Sequence, residues 1–227
     1  MPSKFSKNFT DKGYLMNYKK GLNIAPFNTR VLQFKIELPE ILPLIWRRIL
    51  VPSDYNLWDL HVAIQDSMGW LDYHLHQFIF KGRGKKAEVR IGIPDFDRFY
   101  EDESDEVFPD WEIPVLNYFT DLGKTAKYLY DYGDSWWHTV QLEGYLFKDK
   151  NIRYPICIDG ERACPPEDCG SVPGYYELLK TLSDPKSEDY KDMKTWVGTN
   201  WNPEKFDKNS IKFWEPQKRW KKAFLEK

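Results

Sequence analysis

Three of the chain's four histidines fall beside carboxylates in two short aromatic stretches. His74 and His76 lie in WLDYHLHQFIF, and His138 lies in KYLYDYGDSWWHTV, which also carries Asp131 and Asp134. Two imidazoles two residues apart on a strand share one face, roughly 7 Å apart at the backbone. Metal sites use that arrangement when further ligands converge from another segment. His138 and one acid of the Asp131/Asp134 turn could supply them, and imidazoles with a carboxylate and an open position suit a divalent metal that activates water. The competing expectation is that these histidines are hydrogen-bonded core and rim residues, with Asp131 or Asp134 orienting one of them.

Around this cluster His61, Asp72, Trp136, Glu161, Arg162, Glu167 and Asp168 are further cleft candidates. Cys157, Cys164 and Cys169 sit in one proline-rich loop at spacings that lack the tight pairs of a zinc ribbon, so structural thiols are expected there and a structural zinc is the weaker alternative. An odd, clustered set is also a poor disulfide framework. Strand-exchange chemistry would need a nucleophile supported by several arginines. The arginines here are scattered, and Ser135 sits beside acids that would repel phosphate.

The elements that must position these residues follow from periodicity. Arg30–Leu38 alternates with Leu32, Phe34, Ile36 and Leu38 on one side, and Ile45–Val51 forms a second strand that places Arg47 and Arg48 on opposite faces. Asn56 caps a helix carrying Asp59 in its first turn and an apolar stripe through Leu57, Leu60, Ile64 and Met68, ending at Gly69; His61 sits at the edge of the stripe. Trp70–Phe80 reads as a strand with His74, His76, Phe78 and Phe80 on one face. Residues 81–117 are an excursion with a short strand at Glu88–Ile93. Tyr128–Tyr132 and Trp136–Glu143 form a hairpin around Gly133-Asp134-Ser135, with Trp136, His138, Val140 and Leu142 on one face. Residues 151–174 are too rich in Pro, Gly and Cys for any regular element. Helices are expected at Gly174–Leu182, at Lys186–Trp196 and at Ser210–Glu226, the last broken or delayed by Pro216.

Composition bounds the class. With 41% hydrophobic and 17% aromatic residues the 227-residue chain is globular, and one domain with terminal extensions is expected. Residues 1–28 read as a flexible polar arm, 29–207 as the domain and 208–227 as a basic C-terminal helix. No apolar run approaches a membrane span and no signal-peptide core is present, so no membrane partner is expected and the expected compartment is cytoplasmic. A net charge of -2 gives no general attraction for nucleic acid. The charge is uneven: residues 95–112 hold nine acids against Arg98 and read as a solvated loop, whereas the stretch from Asn202 carries eight basic residues against four acids. That basic helix is the one feature that could touch nucleic acid.

Four ordered segments, PLIWRRILVPSDYNLWDLHVAIQDSMGWLDYHLHQF, YLYDYGDSWWHTV, CIDGERACPPEDCG and WNPEKFD, resemble the plasmid pRiA4b ORF-3-like family, whose members are also described as insertion-element passenger proteins of a TnpR type. The resemblance runs from about Thr29 to Asp207 and implies an α+β domain without a demonstrated activity. Leu71, Trp137 and Ser171 depart from the family's usual acidic residue, Glu and Gly at those places, so no carboxylate role attaches to 71 or 137.

The expected fold is therefore α+β, a mainly antiparallel sheet with helices packed on it. The leading functional expectation is a noncatalytic binding or accessory domain with an aromatic, His/Asp-lined cleft. The alternatives are a metal-dependent hydrolase using the His/Asp cluster and a DNA-associated accessory of a mobile element.

Overall fold

The computed structural model describes residues 29–82, 87–94 and 106–225. The arm expected at 1–28, most of the acidic loop and the last two residues lie outside them. The strands are β1 (Arg30–Leu38), β2 (Ile45–Pro52), β3 (His76–Lys81), β4 (Glu88–Gly92), β5 (Val107–Pro109), β6 (Thr125–Tyr130), β7 (Trp136–Phe147) and β8 (Ile156–Glu161). They form one sheet in the order β5-β4-β3-β6-β7-β1-β2-β8. Every neighbouring pair is antiparallel except β4 with β5. Four α-helices, α1 (Leu57–Met68), α2 (Ser171–Ser183), α3 (Tyr190–Val197) and α4 (Pro216–Phe224), complete the α+β fold.

Period-two alternation builds the core. Leu32, Phe34 and Ile36 of β1 are fully buried, while Gln33, Lys35 and Glu37 between them are only partly so. Cross-strand register carries that face along the sheet: Ile36 is opposite Val140 and Arg47, Tyr128 is opposite Phe78 and His138, and Tyr130 is opposite His76 and Trp136. His76 and His138 therefore share the inner face. Arg47 does too: it is 2% exposed and donates to the carbonyls of Ser67, Trp46 and Glu161. Arg48 points the other way, to Glu143.

The inner face is covered by α1. Asn56 accepts from the Asp59 N–H and Asp59 accepts from the Asn56 N–H, a complete capping box, and Gly69 at φ 92° ends the helix in a conformation that favours glycine. Eleven of its twelve residues are buried, Asp59 being the exception. An amphipathic helix would leave one side in water. Here the outer side is covered by α4, where the Trp58 indole donates to the Pro216 carbonyl and Arg219 bonds Asp66 at 2.7 Å.

Four expectations are corrected. The strand expected over Trp70–Phe80 begins only at His76, because residues 70–75 are held by side chains rather than a ladder: the Trp70 indole donates to the Pro165 carbonyl, the Leu71 N–H to Glu167 and the Tyr73 N–H to the Tyr130 hydroxyl. Residues 151–174 do contain regular structure, since β8 pairs with β2 at the sheet edge, where pairing on one side tolerates a short strand, and α2 already begins at Ser171. The last helix is confined to Pro216–Phe224, with Pro216 at its first turn, where a proline nitrogen loses no helical bond. Asp110, read among solvated acids, is fully buried.

Candidate metal centre and cleft

Two groups of histidine and carboxylate each bring three ligand atoms within 4.8 Å of one another: His74 with Asp131 and Asp168, and His61 with Asp72 and His76. Atoms bound to a common divalent ion at roughly 2.0–2.2 Å lie about 3–4 Å apart, so small side-chain shifts would bring either group onto one ion. They differ in orientation and access.

The first group is assembled from three segments. Asp131 follows β6 at φ 58°, where its carboxylate accepts the Gly133 N–H and its carbonyl accepts the Ser135 N–H, closing the hairpin turn. Asp168, also at positive φ, comes from the cysteine loop, and His74 comes from the irregular segment before β3. His74 Nε2 lies 3.0 Å from Asp168, 3.6 Å from Asp131 and 3.9 Å from Glu167. Asp131 is nearly buried, whereas the side chains of His74 and Asp168 are 31% and 66% exposed, so water reaches the site. Asp134 is not part of it. Its carboxylate accepts the Gly170 N–H and ties the hairpin to the cysteine loop.

That loop is placed by a close approach. A Cβ on Gly174, in the first turn of α2, would stand 2.1 Å from the Cys169 carbonyl oxygen. Gly174→Ala is expected to push the 165–170 segment away, costing about 1–3 kcal/mol in stability and displacing Asp168. Urea denaturation and cation titration of the variant check both.

The second group is interior. The His61 and His76 rings stack at a centroid distance of 3.4 Å with 6° between their planes. His61 Nε2 lies 2.8 Å from Asp72 and its Nδ1 2.8 Å from the Tyr128 hydroxyl, which also accepts from Gln65. His76 Nε2 lies 2.6 Å from Asp110. Imidazole lone pairs lie in the ring plane, so two parallel stacked rings aim theirs side by side rather than at one point. Burial lowers the basicity of His61 against the opposing pull of Asp72, and the neighbouring His76 lowers it further. Asp72 is itself held below the ordinary carboxylate range: burial raises it, but His61, His76 and Arg219 together outweigh that.

His138 joins neither group. Its Nδ1 faces the carbonyls of Trp136 and Tyr128, and burial pushes its pKa down to about 4. Trp136, 1% exposed, packs against Trp70. Arg162 pairs with Glu204, and the Glu161 carbonyl receives Arg47. The three cysteines are free thiols. Burial raises all of them, Cys169 to about 12, and among the described residues neither group with ligand spacing contains a cysteine.

Asp110 is the residue that sequence reasoning missed. A single acid within an acidic run carries no local signal of burial, and only the packing of α1 reveals it. Arg219 is the other, since a basic terminal helix gives no sign that one of its cations turns inward to Asp66 and, at 3.6 Å, to Asp72. Lys218, Lys221 and Lys222 remain exposed.

Beside the first group opens a cleft of about 950 Å³. None of that group's three ligands lines the cleft; Glu167, 3.9 Å from His74, and Asp72 of the second group do, together with Leu71, Tyr73, Trp196, Trp201 and Trp214. Trp196 and Trp214 are 48% and 55% exposed, so the indoles are available to a ligand. Glu167 belongs to both sites. It receives the Tyr130 hydroxyl and the Leu71 N–H while lying 3.9 Å from His74. Among the described residues no helix is long and apolar enough to cross a membrane.

Comparison with known proteins follows the same outline. The family model described as plasmid pRiA4b ORF-3-like protein matches residues 30–210. The uncharacterized protein y4hQ of Sinorhizobium fredii (strain NBRC 101917 / NGR234) is 32% identical over 171 residues, which is 75% of this chain and 82% of that one. The crystal structure of a protein of unknown function, MM3350 from Methanosarcina mazei Go1, is similar at a TM-score of 0.70 and 37% identity, covering 82% of this chain and 99% of the other.

Proposed function

The chain belongs to the plasmid pRiA4b ORF-3-like family, and from that premise we propose that His74, Asp131 and Asp168 hold a divalent metal ion that activates water for hydrolysis of a substrate bound in the adjacent tryptophan-walled cleft. One observation carries the reading: a histidine and two carboxylates from separate segments meet at ligand spacing where solvent can enter. Such an ion supplies a Lewis acid and a water of lowered pKa. His74 and Asp131 would hold it, Asp131 being locked by the hairpin turn. Asp168, the most exposed of the three, leaves the outer side open for water. Glu167, shared with the cleft, would be the carboxylate placed to accept a proton from such a water.

The test is titration of tag-free full-length protein with Mn²⁺ and Zn²⁺ by calorimetry, followed by hydrolysis of nitrophenyl esters and phosphoesters with and without chelator. One bound equivalent is expected, with affinity reduced roughly tenfold or more in His74→Ala and Asp131→Asn. The latter keeps the turn, since asparagine tolerates positive φ. Uptake below about a tenth of an equivalent removes the metal reading. Uptake without turnover that depends on the metal and on Glu167 leaves a noncatalytic binding domain.

The exposed Lys218, Lys221 and Lys222 support a weaker, separate reading as a nucleic-acid contact. A gel shift at two salt concentrations decides it, because phosphate contacts are strongest at low salt and absence of binding there removes it.

A further inference from the structure

On the opposite end of α1 from the large cleft, a second pocket of about 260 Å³ is lined by Trp58, Trp111, Trp220 and Asp59, with Lys221 among its remaining residues. From this geometry we infer that the pocket is an aromatic cage for a methylated ammonium group.

Three indoles and one carboxylate line a space large enough for such a head group and the first atoms of its tail; Trp58 is only 3% exposed, so the partly exposed Trp111 and Trp220 present most of the aromatic surface. The Trp111 and Trp220 rings stand 6.2 Å apart at 68°, forming a corner rather than a stack. Phe224 buttresses that corner, with its ring 5.3 Å from each and 5.5 Å from Trp58. A cation seated in a corner of this kind meets the negative faces of two rings at once. A stacked pair would leave no room.

The walls are fixed before any ligand arrives. The Asn56 side-chain amide donates to the Trp111 carbonyl at 3.0 Å, and the Leu57 N–H donates to the Ile113 carbonyl at 2.9 Å, which together hold the Trp111 turn against the start of α1. On the other side, the Trp58 indole bond to Pro216 and the Arg219 bond to Asp66 hold α4, which presents Trp220. Ordering costs are thus met by folding.

Charge selects a cation. Asp59 is partly buried in the pocket wall, where burial raises its carboxyl to about 6, against the Asn56 N–H, and Asp54 and Asp110 raise it further. A bound cation would relieve that field. Lys221 is the one opposing charge in the pocket lining, and it is exposed and screened by solvent. The Trp220 indole nitrogen is buried with no hydrogen-bond partner among the described residues, which leaves that donor unsatisfied in the free protein. A fully hydrated metal ion or a bare ammonium gains less here, because indole faces cannot replace lost water as they can embrace methyl groups that carry partial positive charge.

The cage joins the family domain to a segment outside it. Trp58, Asp59 and Trp111 lie within the matched residues 30–210, whereas Trp220 and Phe224 lie beyond them. The inference does not depend on the metal reading.

The experiment titrates the full chain with choline, tetramethylammonium and 3,3-dimethylbutan-1-ol, the neutral isostere of choline, following tryptophan fluorescence and heat. Saturable binding of the two cations is expected, with the neutral isostere at least about tenfold weaker. Trp220→Ala should weaken choline binding at least about tenfold and Asp59→Asn several-fold, with unchanged circular dichroism and unchanged cation titration at His74. Trp220→Phe should restore part of the affinity. A second arm compares a trimethyllysine peptide with its unmodified form: tighter binding of the methylated peptide than of choline identifies a protein tail as the source, and the reverse identifies a small molecule. Equal binding of the neutral isostere, full affinity in Trp220→Ala, or no saturable response to any methylated ammonium overturns the inference.

Discussion

Asp110→Ala is expected to lower the free energy of unfolding by about 3–5 kcal/mol, a large fraction of a domain's total stability. Asp110 and His76 are both fully buried, and their bond is 2.6 Å long. Removing the carboxylate leaves His76 Nε2 without a partner in the interior, where its Nδ1 already has none among the described residues. His61 stacked on the ring restricts any movement of His76 toward another partner. Asp110→Asn keeps the shape and one hydrogen-bonding group, so its cost should be smaller, about 1–2 kcal/mol. Urea denaturation of the three proteins at neutral pH makes the comparison. An alanine variant within about 1 kcal/mol of the parent would show that the buried pair contributes no more than a surface pair.

The second large effect is a pH dependence. Burial, against two backbone carbonyls, lowers the pKa of His138 from 6.5 to about 4. Above pH 6.5 the ring is neutral in both folded and unfolded chains and carries no penalty. As pH falls, the unfolded chain takes up the proton first, so the stabilising contribution is lost between pH 6.5 and 4 and stays lost below. A shift of that size corresponds to about 3 kcal/mol. Asp59 works in the opposite sense: its carboxyl is raised from 3.8 to about 6, so the folded chain binds that proton more readily and gains stability on acidification through the same window. The parent protein's profile therefore conceals both. His138→Leu removes only the first contribution, and the stability difference between parent and variant should change in the variant's favour by about 3 kcal/mol from pH 7 to pH 4. Parallel profiles for the two proteins would show that His138 is not held neutral by the fold.

Local order was legible where it depends on neighbours in sequence. Alternation marked β1, β2 and β7, the Asn56 cap and Gly69 bounded α1, and the opposed directions of Arg47 and Arg48 followed from the strand period alone. The α+β class followed from those elements. What the sequence could not carry was which polar groups meet. His74 and His76 are two residues apart and read as one face, yet His74 stands with Asp131 and Asp168 at the surface while His76 is stacked on His61 in the core. Their separation is decided by Pro165, Glu167 and Tyr130, which hold residues 70–75 out of the sheet by bonds from 57 to 96 positions away. Asp110 and Arg219 are equally silent in sequence, because burial of a charge depends on what packs over it and not on its neighbours. Periodicity is a property of one segment, so the chain alone determined β1, β2, β7, the capped helix and the class of fold; a site is a property of segments brought together, so only the tertiary structure decided where β3 begins, that β8 forms, which histidine meets carboxylates at the surface and which are sealed in the core.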